Sequence, residues 1–210
     1  MFYFLINNSM HLFVTAIGTD SGKTLVSAIL TKALEATYWK PVQAGEPTDT
    51  QTIQSLISDV KIIPELYKLA IPASPHFAAS QAGINIDLHE LRIPPLETEH
   101  LVVEGAGGLM VPLNEKDFVI DIPQFLSLEV VLVVNLYLGC INHSLLAINE
   151  INRRNVRVKG IVFNGDLHND SAEFIAQYAG WPVLAHIPKL NEISPEAIAQ
   201  MAQELLPALV

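Results

Sequence analysis

A short run of small residues ending in Gly22-Lys23-Thr24 constrains the fold more than any other part of the sequence. The apolar stretch 11–17 predicts a strand before it, and the pattern after Lys23 predicts a helix over 23–36. A strand, a glycine-containing loop and a helix in this order are typical of a nucleotide phosphate site, because loop amides and a helix N-terminus attract anions. Lys23 would reach the outer phosphates, and the Thr24 hydroxyl would hold Mg²⁺.

This phosphate loop (residues 17–24) departs from the strict pattern, which has a glycine five residues before Gly22. Ile17 stands at that place, and Gly18 follows one position later. The alternative is an ordinary strand-to-helix turn with a surface lysine. Such a turn requires one residue with positive φ, so it leaves the second glycine unexplained. The sequence therefore favours the phosphate site.

The length of 210 residues predicts a single domain over residues 10–210, and half of the residues are apolar, enough for a core. We expect residues 1–9 to be an N-terminal extension outside the fold, because Met10 directly precedes the first predicted strand. Their apolar start lacks the basic leader and cleavage site of a signal peptide. No apolar run reaches about 18 residues, so we expect no membrane span.

Charge and cysteine content exclude several classes of function. The net charge of −10 argues against a nucleic-acid or anionic-membrane partner. Cys140 is the single cysteine, which excludes an internal disulfide, and the histidines have no metal-ligand spacing that predicts a zinc site. A cytoplasmic, reducing location fits best.

Continuous apolar runs alternate with helical patterns along the chain, which predicts a three-layer α/β/α fold with a mostly parallel sheet and helices on both faces. The predicted strands are 11–17, 38–42, 101–103, 130–135, 160–164 and 182–187. The predicted helices are 23–36, 50–58, 118–126, 142–153, 169–179 and 195–206, the last with Ser194 as N-cap. The proline-rich stretch 61–95 is expected to be a long functional loop or lid. Ligands of such a sheet bind at the carboxyl ends of its strands.

Two polar residues follow the second predicted strand. Lys40 is either a surface lysine at a strand end or a second cation beside the phosphate loop. Asp49 is either the N-cap of the next helix or a metal ligand, and the spacing leaves both open.

The strand 101–103 ends in Glu104, followed by the glycine loop Gly105-Ala106-Gly107-Gly108. A carboxylate after a hydrophobic strand can hold Mg²⁺ or its water in a phosphate-loop enzyme. The glycines allow close approach of the backbone to a ligand, and the alternative is a tight turn.

Two further clusters follow later strands. Gly139-Cys140-Ile141-Asn142-His143 opens a helix whose amides could bind a carboxylate. Cys140 is interpreted as a small buried residue rather than a nucleophile, and His143 has weak support as an acid–base group. Asn164 ends the strand 160–164, where its amide could contact adenine or serve as a turn residue.

In this order, the clusters resemble the dethiobiotin synthetases, ATP-dependent ring-forming carboxylases of biotin synthesis. The resemblance covers about residues 11–195 and implies a fold of the P-loop NTPase type. It rests on the phosphate loop and on the segments Lys40-Pro41-Val42, Ser74-Pro75-His76, 104–108 with Pro112-Leu113, and 139–143.

The chain departs from the family pattern at three places. Ala16 stands where the family has the first glycine of the loop, with Gly18 as a possible compensation. Ala44 replaces a frequent serine or threonine near the substrate, and Asp20 replaces a frequent glutamate.

The resemblance implies that 7,8-diaminononanoate takes up CO₂ (or bicarbonate) as a carbamate, which attacks the γ-phosphate of ATP before the second amine closes the ureido ring. It implies a homodimer in which the helix start of one subunit receives the substrate carboxylate bound to the other. The implied catalytic residues are Lys23 and Lys40, and the implied Mg²⁺ ligands are Thr24, Asp49 and Glu104. The implied nucleotide contacts are Thr19, Asp20, Ser21, Gly22, Lys23, Thr24, Leu25, Asn164, Pro188, Leu190 and Glu192. The implied substrate contacts are Lys40, Glu104, Gly105, Ala106, Gly107, Gly108, Gly139, Cys140, Ile141 and Asn142, with Ser80 in the region over the diamine.

Two alternatives remain at this point. One is a nucleotide-dependent switch of the partition-ATPase type, but the stretch 16–21 lacks the second lysine of those proteins. The other is a relative that binds nucleotide but is catalytically weakened, to which Ala16 and Ala44 point.

Overall fold

A seven-stranded parallel sheet forms the centre of the part of the chain that the computed structural model describes, residues 9–166 and 170–209. Two short strands form a separate parallel pair. The strands are β1 (His11–Ala16), β2 (Thr37–Trp39), β3 (Val42–Ala44), β4 (Ile62–Ile63), β5 (Tyr67–Leu69), β6 (Leu101–Glu104), β7 (Glu129–Asn135), β8 (Val158–Asn164) and β9 (Val183–Ile187). The α-helices are α1 (Lys23–Leu34), α2 (Asp49–Leu56), α3 (Pro75–Gln81), α4 (Asp121–Phe125), α5 (Cys140–Arg153), α6 (Ser171–Ala179) and α7 (Pro195–Leu205).

The order of strands in the large sheet is β4-β2-β6-β1-β7-β8-β9, so β1 lies in the middle, between β6 and β7. All described pairings in this sheet are parallel. The loops that follow β1, β2 and β6 therefore meet at one edge, where ligands of parallel sheets bind. This order brings the phosphate loop, Lys40 and Glu104 to neighbouring strand ends.

Two apolar cores cover the two faces of the sheet, because side chains alternate between faces along each strand. On β1, Leu12, Val14 and Ala16 pack in the core that includes residues of α1, α2 and α7. Phe13 points to the other core, which includes residues of α5 and α6. The predicted three-layer α/β/α architecture with a parallel sheet is confirmed.

The predicted strand 38–42 was wrong as a single element. β2 ends at Trp39, and β3 begins at Val42 in the separate two-stranded sheet with β5. Pro41 lies at the break, where its ring has no N–H to donate to a neighbouring strand. Its carbonyl instead accepts hydrogen bonds from the amides of Leu66 and Tyr67. Lys40 thus lies where the chain passes from one sheet to the other.

The stretch 61–95 is more regular than the loop that its prolines predict. It contains β4, β5, α3 and a 3₁₀ turn at Leu88–Glu90. Pro75 is the first residue of α3, a position that suits proline because the missing N–H has no partner there in any helix. Short helices and strands therefore form between these prolines.

The other predicted elements differ from the observed ones mainly at their ends. Ser194 caps α7 by accepting a hydrogen bond from the Ala197 amide, as predicted. The proposed extension 1–9 falls almost wholly outside the described residues, as does the predicted start of a helix at residue 169. No helix among the described residues is long and apolar enough to cross a membrane.

Candidate active site

The phosphate loop connects β1 to α1 through two residues with left-handed backbone conformations. Gly22 has φ 91° and precedes the first residue of α1, whereas the second such residue is Asp20, with φ 56°. The sequence argument explained both glycines of the loop by positive φ. This was wrong for Gly18, which does not have a positive φ. Aspartate tolerates this conformation better than most residues. The Ser21 hydroxyl donates to the Gly18 carbonyl at 3.0 Å and closes the loop.

Asn164, at the end of β8, supports this loop from the side. Its amide nitrogen Nδ2 donates to the Ser21 carbonyl at 2.9 Å. A Cβ on Gly22 would lie 2.2 Å from the same nitrogen, so only glycine fits both the backbone conformation and the space. The structure thus gives Asn164 a loop-bracing contact that the sequence did not predict, and its predicted contact with adenine stays a prediction.

Lys23 is the first residue of α1 and is mostly buried. Burial lowers the pKa of its amine, and the positive charge of Lys40 lowers it further, against the opposing effects of Glu104 and Asp49. The two lysines therefore share one electrostatic environment at the loop, which suits them to a ligand that carries several negative charges.

Lys40 lies at the centre of a compact group of polar side chains and is 4% exposed. Its Nζ forms an ion pair with Asp49 and lies 3.1 Å from Oε1 of Glu104. Nζ also donates to the Gly105 carbonyl at 3.0 Å. The Thr24 hydroxyl donates to the same Glu104 oxygen at 2.9 Å. The structure thus brings the predicted catalytic lysine and the three predicted metal ligands together.

The charges in this group stabilise one another. Burial lowers the pKa of Lys40, but the carboxylates of Glu104 and Asp49 outweigh it and hold that pKa above its ordinary value. Burial raises the pKa of Asp49, but Lys40 outweighs it and holds that pKa below its ordinary value. Lys40 is therefore charged at neutral pH, and so is Asp49.

The interpretation of Asp49 as a helix cap was wrong, because Thr48 is the N-cap of α2. The Thr48 side chain accepts from the Gln51 amide, and the Gln51 side chain accepts from the Thr48 amide, which forms a capping box. Asp49 is the first residue inside the helix, and its amide donates to Oε1 of Gln43 at 3.2 Å. With the helix end satisfied by its neighbours, the Asp49 carboxylate is free to pair with Lys40.

The glycine loop after Glu104 borders a cavity of about 440 Å³, which Lys40 also lines. Its backbone comes close to the phosphate loop, since a Cβ on Gly108 would lie 3.3 Å from the Gly18 Cα. Gly107 has φ 68° and lines the cavity. Ala44, one of the three residues that depart from the family pattern, lines the same cavity. Ser74, from the stretch 61–95, lines it as well. His76 and Ser80 instead line a separate cavity with residues 84–87 and 113–117.

The segment 139–142 begins α5, with Gly139 at the N-cap at φ 110°. Cys140 is buried, which agrees with its interpretation as a small packing residue. Leu138, directly before Gly139, is fully exposed. His143 is hydrogen-bonded to the Tyr137 hydroxyl and lines an apolar cavity with residues 17–19 and 108–111. Residues 139–142 do not line that cavity or the one at Lys40.

The stretch 188–192 joins β9 to α7. Its residues lie past the carboxyl end of β9, which pairs with β8 at Asn164. Pro188 and Glu192 are exposed, and Leu190 is partly buried. This location is at the edge of the sheet that carries the phosphate loop, and contact with a nucleotide base stays a prediction.

Tyr38, Gln43 and Thr48 are site residues that the sequence reasoning missed. Tyr38 is fully buried and its hydroxyl donates to Oε2 of Glu104 at 2.9 Å. A signal was present for Tyr38, which lies two residues before Lys40 and thus on the same side of the chain. Gln43 had no such signal, because its role depends on how α2 packs.

Comparison with known proteins identifies the family. A family model described as an AAA domain matches residues 10–197. An ATP-dependent dethiobiotin synthetase of Cytophaga hutchinsonii is 51% identical over 196 residues, 92% of this chain and 95% of that protein. One from Afipia carboxidovorans is 44% identical over 194 residues, 90% of this chain and 92% of that protein. The chain belongs to the ATP-dependent dethiobiotin synthetase family.

Solved structures outside this family share the fold of the synthetase. The septum site-determining protein MinD of Pyrococcus horikoshii, solved with Mg-ADP, has a TM-score of 0.56 at 14% identity and covers 93% of this chain and 95% of its own. A putative plasmid partition protein of Borrelia burgdorferi, bound to AMPPNP, has a TM-score of 0.54 at 12% identity and covers 96% and 99%. At these identities the likeness shows the P-loop fold alone.

Proposed function

We propose that this protein makes dethiobiotin from 7,8-diaminononanoate, CO₂ and ATP, with release of ADP and phosphate. The observation that carries the proposal is the Lys40 ammonium, which is buried between two carboxylates in the wall of the glycine-loop cavity, one of them also bound by Thr24. Membership of the dethiobiotin synthetase family supports the identity of the product.

The proposed reaction has three steps. One amine of the diamine takes up CO₂ and loses a proton, which gives a carbamate. A carbamate oxygen attacks the γ-phosphorus of ATP, and ADP leaves, so that a carbamic–phosphoric anhydride forms. The second amine attacks the carbamoyl carbon, expels phosphate and loses a proton, which closes the ureido ring.

The two lysines meet the main physical demand of the second step, in which two anions must approach each other. We assign to Lys23 the contact that bridges the phosphates and the carbamate. We assign to Lys40 the contacts with the carbamate and the transferred phosphoryl group, because it lines the cavity together with Thr19 of the phosphate loop. Fixed positive charges stabilise the transition state without reorganisation, and positioning contributes more here than acid–base chemistry.

Thr24, Asp49 and Glu104 fit a magnesium ion by the chemistry of their donors. Both carboxylates contact Lys40, and the Thr24 hydroxyl donates to Glu104; Mg²⁺ prefers such oxygen ligands together with phosphate and water. Among the described residues, no group of three or more His, Cys, Asp or Glu side chains is placed to hold a metal. The site would thus hold Mg²⁺ only with ligands from the nucleotide and water. When bound, the ion supplies positive charge to the phosphate oxygens.

The nucleotide phosphates would lie on the amides of the phosphate loop, from Thr19 to Leu25. The left-handed residues Asp20 and Gly22 shape this loop, and the N-terminus of α1 follows it. We assign the adenine to the edge formed by Asn164 and the stretch 188–192. The cytoplasm would supply the ATP that this assignment requires.

The diamine would lie in the cavity beside the glycine loop, 105–108. We infer that the active form is a homodimer in which Gly139–Asn142 of the partner subunit receive the substrate carboxylate. Two observations support this: residues 139–142 do not line their own subunit's cavities beside the phosphate loop, and Leu138 is fully exposed beside them. Tyr137, next to Leu138 in the sequence, is exposed as well, and adjoining exposed apolar side chains are typical of an interface.

The test is release of ADP by the purified protein with ATP, Mg²⁺ and bicarbonate, with and without 7,8-diaminononanoate. We expect release that requires both the diamine and bicarbonate. Nucleotide binding without turnover would instead favour the catalytically weakened relative, for which Ala44 in the cavity wall is the structural reason. Hydrolysis that is independent of the diamine would favour a nucleotide-dependent switch.

A further inference from the structure

A fully buried tyrosine contacts the site and has no part in the function proposed so far. Tyr38 lies on β2, and its ring packs in the apolar core on the α1 side of the sheet. Its hydroxyl donates a hydrogen bond to Oε2 of Glu104 at 2.9 Å. A polar group buried in such a core costs stability unless it is paired, so the phenol depends on Glu104.

The register of the two neighbouring strands explains why these side chains meet. Tyr38 pairs with Val102 in the parallel ladder between β2 and β6. Glu104 lies two residues beyond Val102 and therefore points to the same face, diagonally across from the ring. The register of the sheet therefore sets this contact.

The two oxygens of Glu104 have different partners. Oε1 accepts from the Thr24 hydroxyl and from Lys40, and so faces the phosphate loop. Oε2 accepts from Tyr38, on the side of the core. Bonds at both oxygens fix the rotation of the carboxylate about its last side-chain bond, which a single partner would leave loose.

We propose that Tyr38 is a positioning residue that holds the Glu104 carboxylate so that Oε1 faces Thr24 and the phosphates. The inference rests on the proposed function, in which Glu104 helps to hold Mg²⁺. Removal of a group that hydrogen-bonds to a metal ligand commonly weakens metal binding by roughly 10- to 100-fold. The Tyr38 hydroxyl is the donor in this bond, because the carboxylate can only accept.

The test is the binding of ADP to the purified protein by calorimetry, with Mg²⁺ titrated and with EDTA. For Tyr38→Phe we expect the Mg²⁺ concentration that half-maximally promotes ADP binding to rise roughly 10- to 100-fold. ADP affinity in EDTA is expected to stay within about twofold of the wild type, because the phosphate loop is unchanged. A general loss of structure would weaken ADP binding in EDTA as well as in Mg²⁺, so it would not produce this result.

Tyr67→Phe is the matched control. Tyr67 is also buried, and its hydroxyl also donates to a carboxylate, Oε2 of Glu90 at 2.6 Å. Glu90 belongs to the 3₁₀ turn and not to the site. We expect this variant to leave the Mg²⁺ dependence unchanged. In a Glu104→Gln background, Tyr38→Phe should add little, because its effect acts through Glu104.

An equal change of ADP affinity with and without Mg²⁺, or no change, would overturn the positioning role while leaving the proposed function intact. If the wild type bound ADP without any Mg²⁺ dependence, the metal assignment itself would fail, and the positioning role with it. Circular dichroism reports folding, and Tyr38→Leu, which keeps an apolar side chain, serves as the second variant if phenylalanine prevents folding. For Tyr38→Leu we expect the same result: a higher Mg²⁺ requirement and nearly unchanged ADP affinity in EDTA.

Discussion

The ammonium of Lys40 lies 3.1 Å from Oε1 of Glu104, and the Glu104 side chain is fully buried. The two residues are at the ends of neighbouring parallel strands, so the sheet itself sets their separation. Removal of Lys40 leaves the buried Glu104 carboxylate without the cation that pairs with it. Substitution of Lys40 therefore tests the proposed chemistry directly.

Replacement of Lys40 by methionine is expected to lower kcat/KM by about 10²- to 10³-fold, because a preorganised positive charge at the transferred group is lost. Steady-state ADP release measures the effect, and circular dichroism checks that the variant is folded. Lys68→Met is the control, since Lys68 is exposed and pairs with Glu46 on the surface. Near-normal turnover of Lys40→Met would contradict the role given to Lys40.

Lys23→Ala is expected to lower turnover by orders of magnitude and to weaken ATP binding, because the amine at the start of α1 would no longer reach the phosphates. Lys32→Ala is the matched control, since Lys32 lies in the last turn of the same helix and is exposed. Calorimetry with ATP and the rate of ADP release measure both variants. Equal ATP affinity for the two would show that Lys23 is not a phosphate ligand.

Thr48→Ala removes the cap of α2 and should destabilise the protein by about 1 kcal/mol. Because Asp49 follows directly in the first turn, we also expect the Mg²⁺ concentration required for ADP release to rise. Ser194→Ala removes an equivalent cap from α7, away from the Lys40 group, and should cost similar stability without that rise. Urea unfolding and Mg²⁺ titration separate the two effects. An identical Mg²⁺ response would contradict the account of Asp49.

A pH-dependent contribution to stability is expected at Glu150 on α5. Hydrogen bonds from Arg153 and Arg154 lower the pKa of the Glu150 carboxyl from 4.5 to about 2. A carboxyl with a lowered folded-state pKa stabilises the fold above its ordinary pKa, and this stabilisation is lost as pH falls toward the folded value.

The difference in free energy of unfolding between the wild type and Glu150→Gln should therefore be largest at neutral pH. We expect about 1 kcal/mol there, reduced by solvent screening of the partly exposed pair. The difference should shrink between pH 4.5 and pH 2. Urea unfolding at a series of pH values measures it. A difference that grows on acidification would contradict the charge pairing.

Much of the fold follows from local sequence patterns. The runs 11–17, 130–135 and 160–164 are mostly apolar, which predicts strands buried on both faces, and each corresponds to a strand of the central sheet. The break at Pro41 was missed because apolar residues lie on both sides of Lys40-Pro41, so that 38–42 resembles one short strand. The pairing of β3 with β5 depends on contacts between segments distant in sequence. The short elements of 61–95 have too few residues for periodicity to show.

The sequence predicted those residues of the candidate site that are charged and lie next to the end of a strand or the start of a helix. Lys40, Asp49 and Glu104 each follow or precede a recognisable element, and the strand order brings them together. Tyr38 and Gln43 were missed because hydrogen bonds to neighbours distant in sequence define their roles. The position of Asp49 inside the helix depended on which of two adjacent residues caps it.

The most direct measurement is transfer of carbon from ¹³C-bicarbonate to product, followed by mass spectrometry of the reaction with 7,8-diaminononanoate, ATP and Mg²⁺. The account predicts dethiobiotin carrying one labelled carbon, formed with about one ADP per product because each carbamate is activated by one phosphoryl transfer. Absence of labelled dethiobiotin from folded protein that binds ATP, or ADP release without it, would contradict the proposed function.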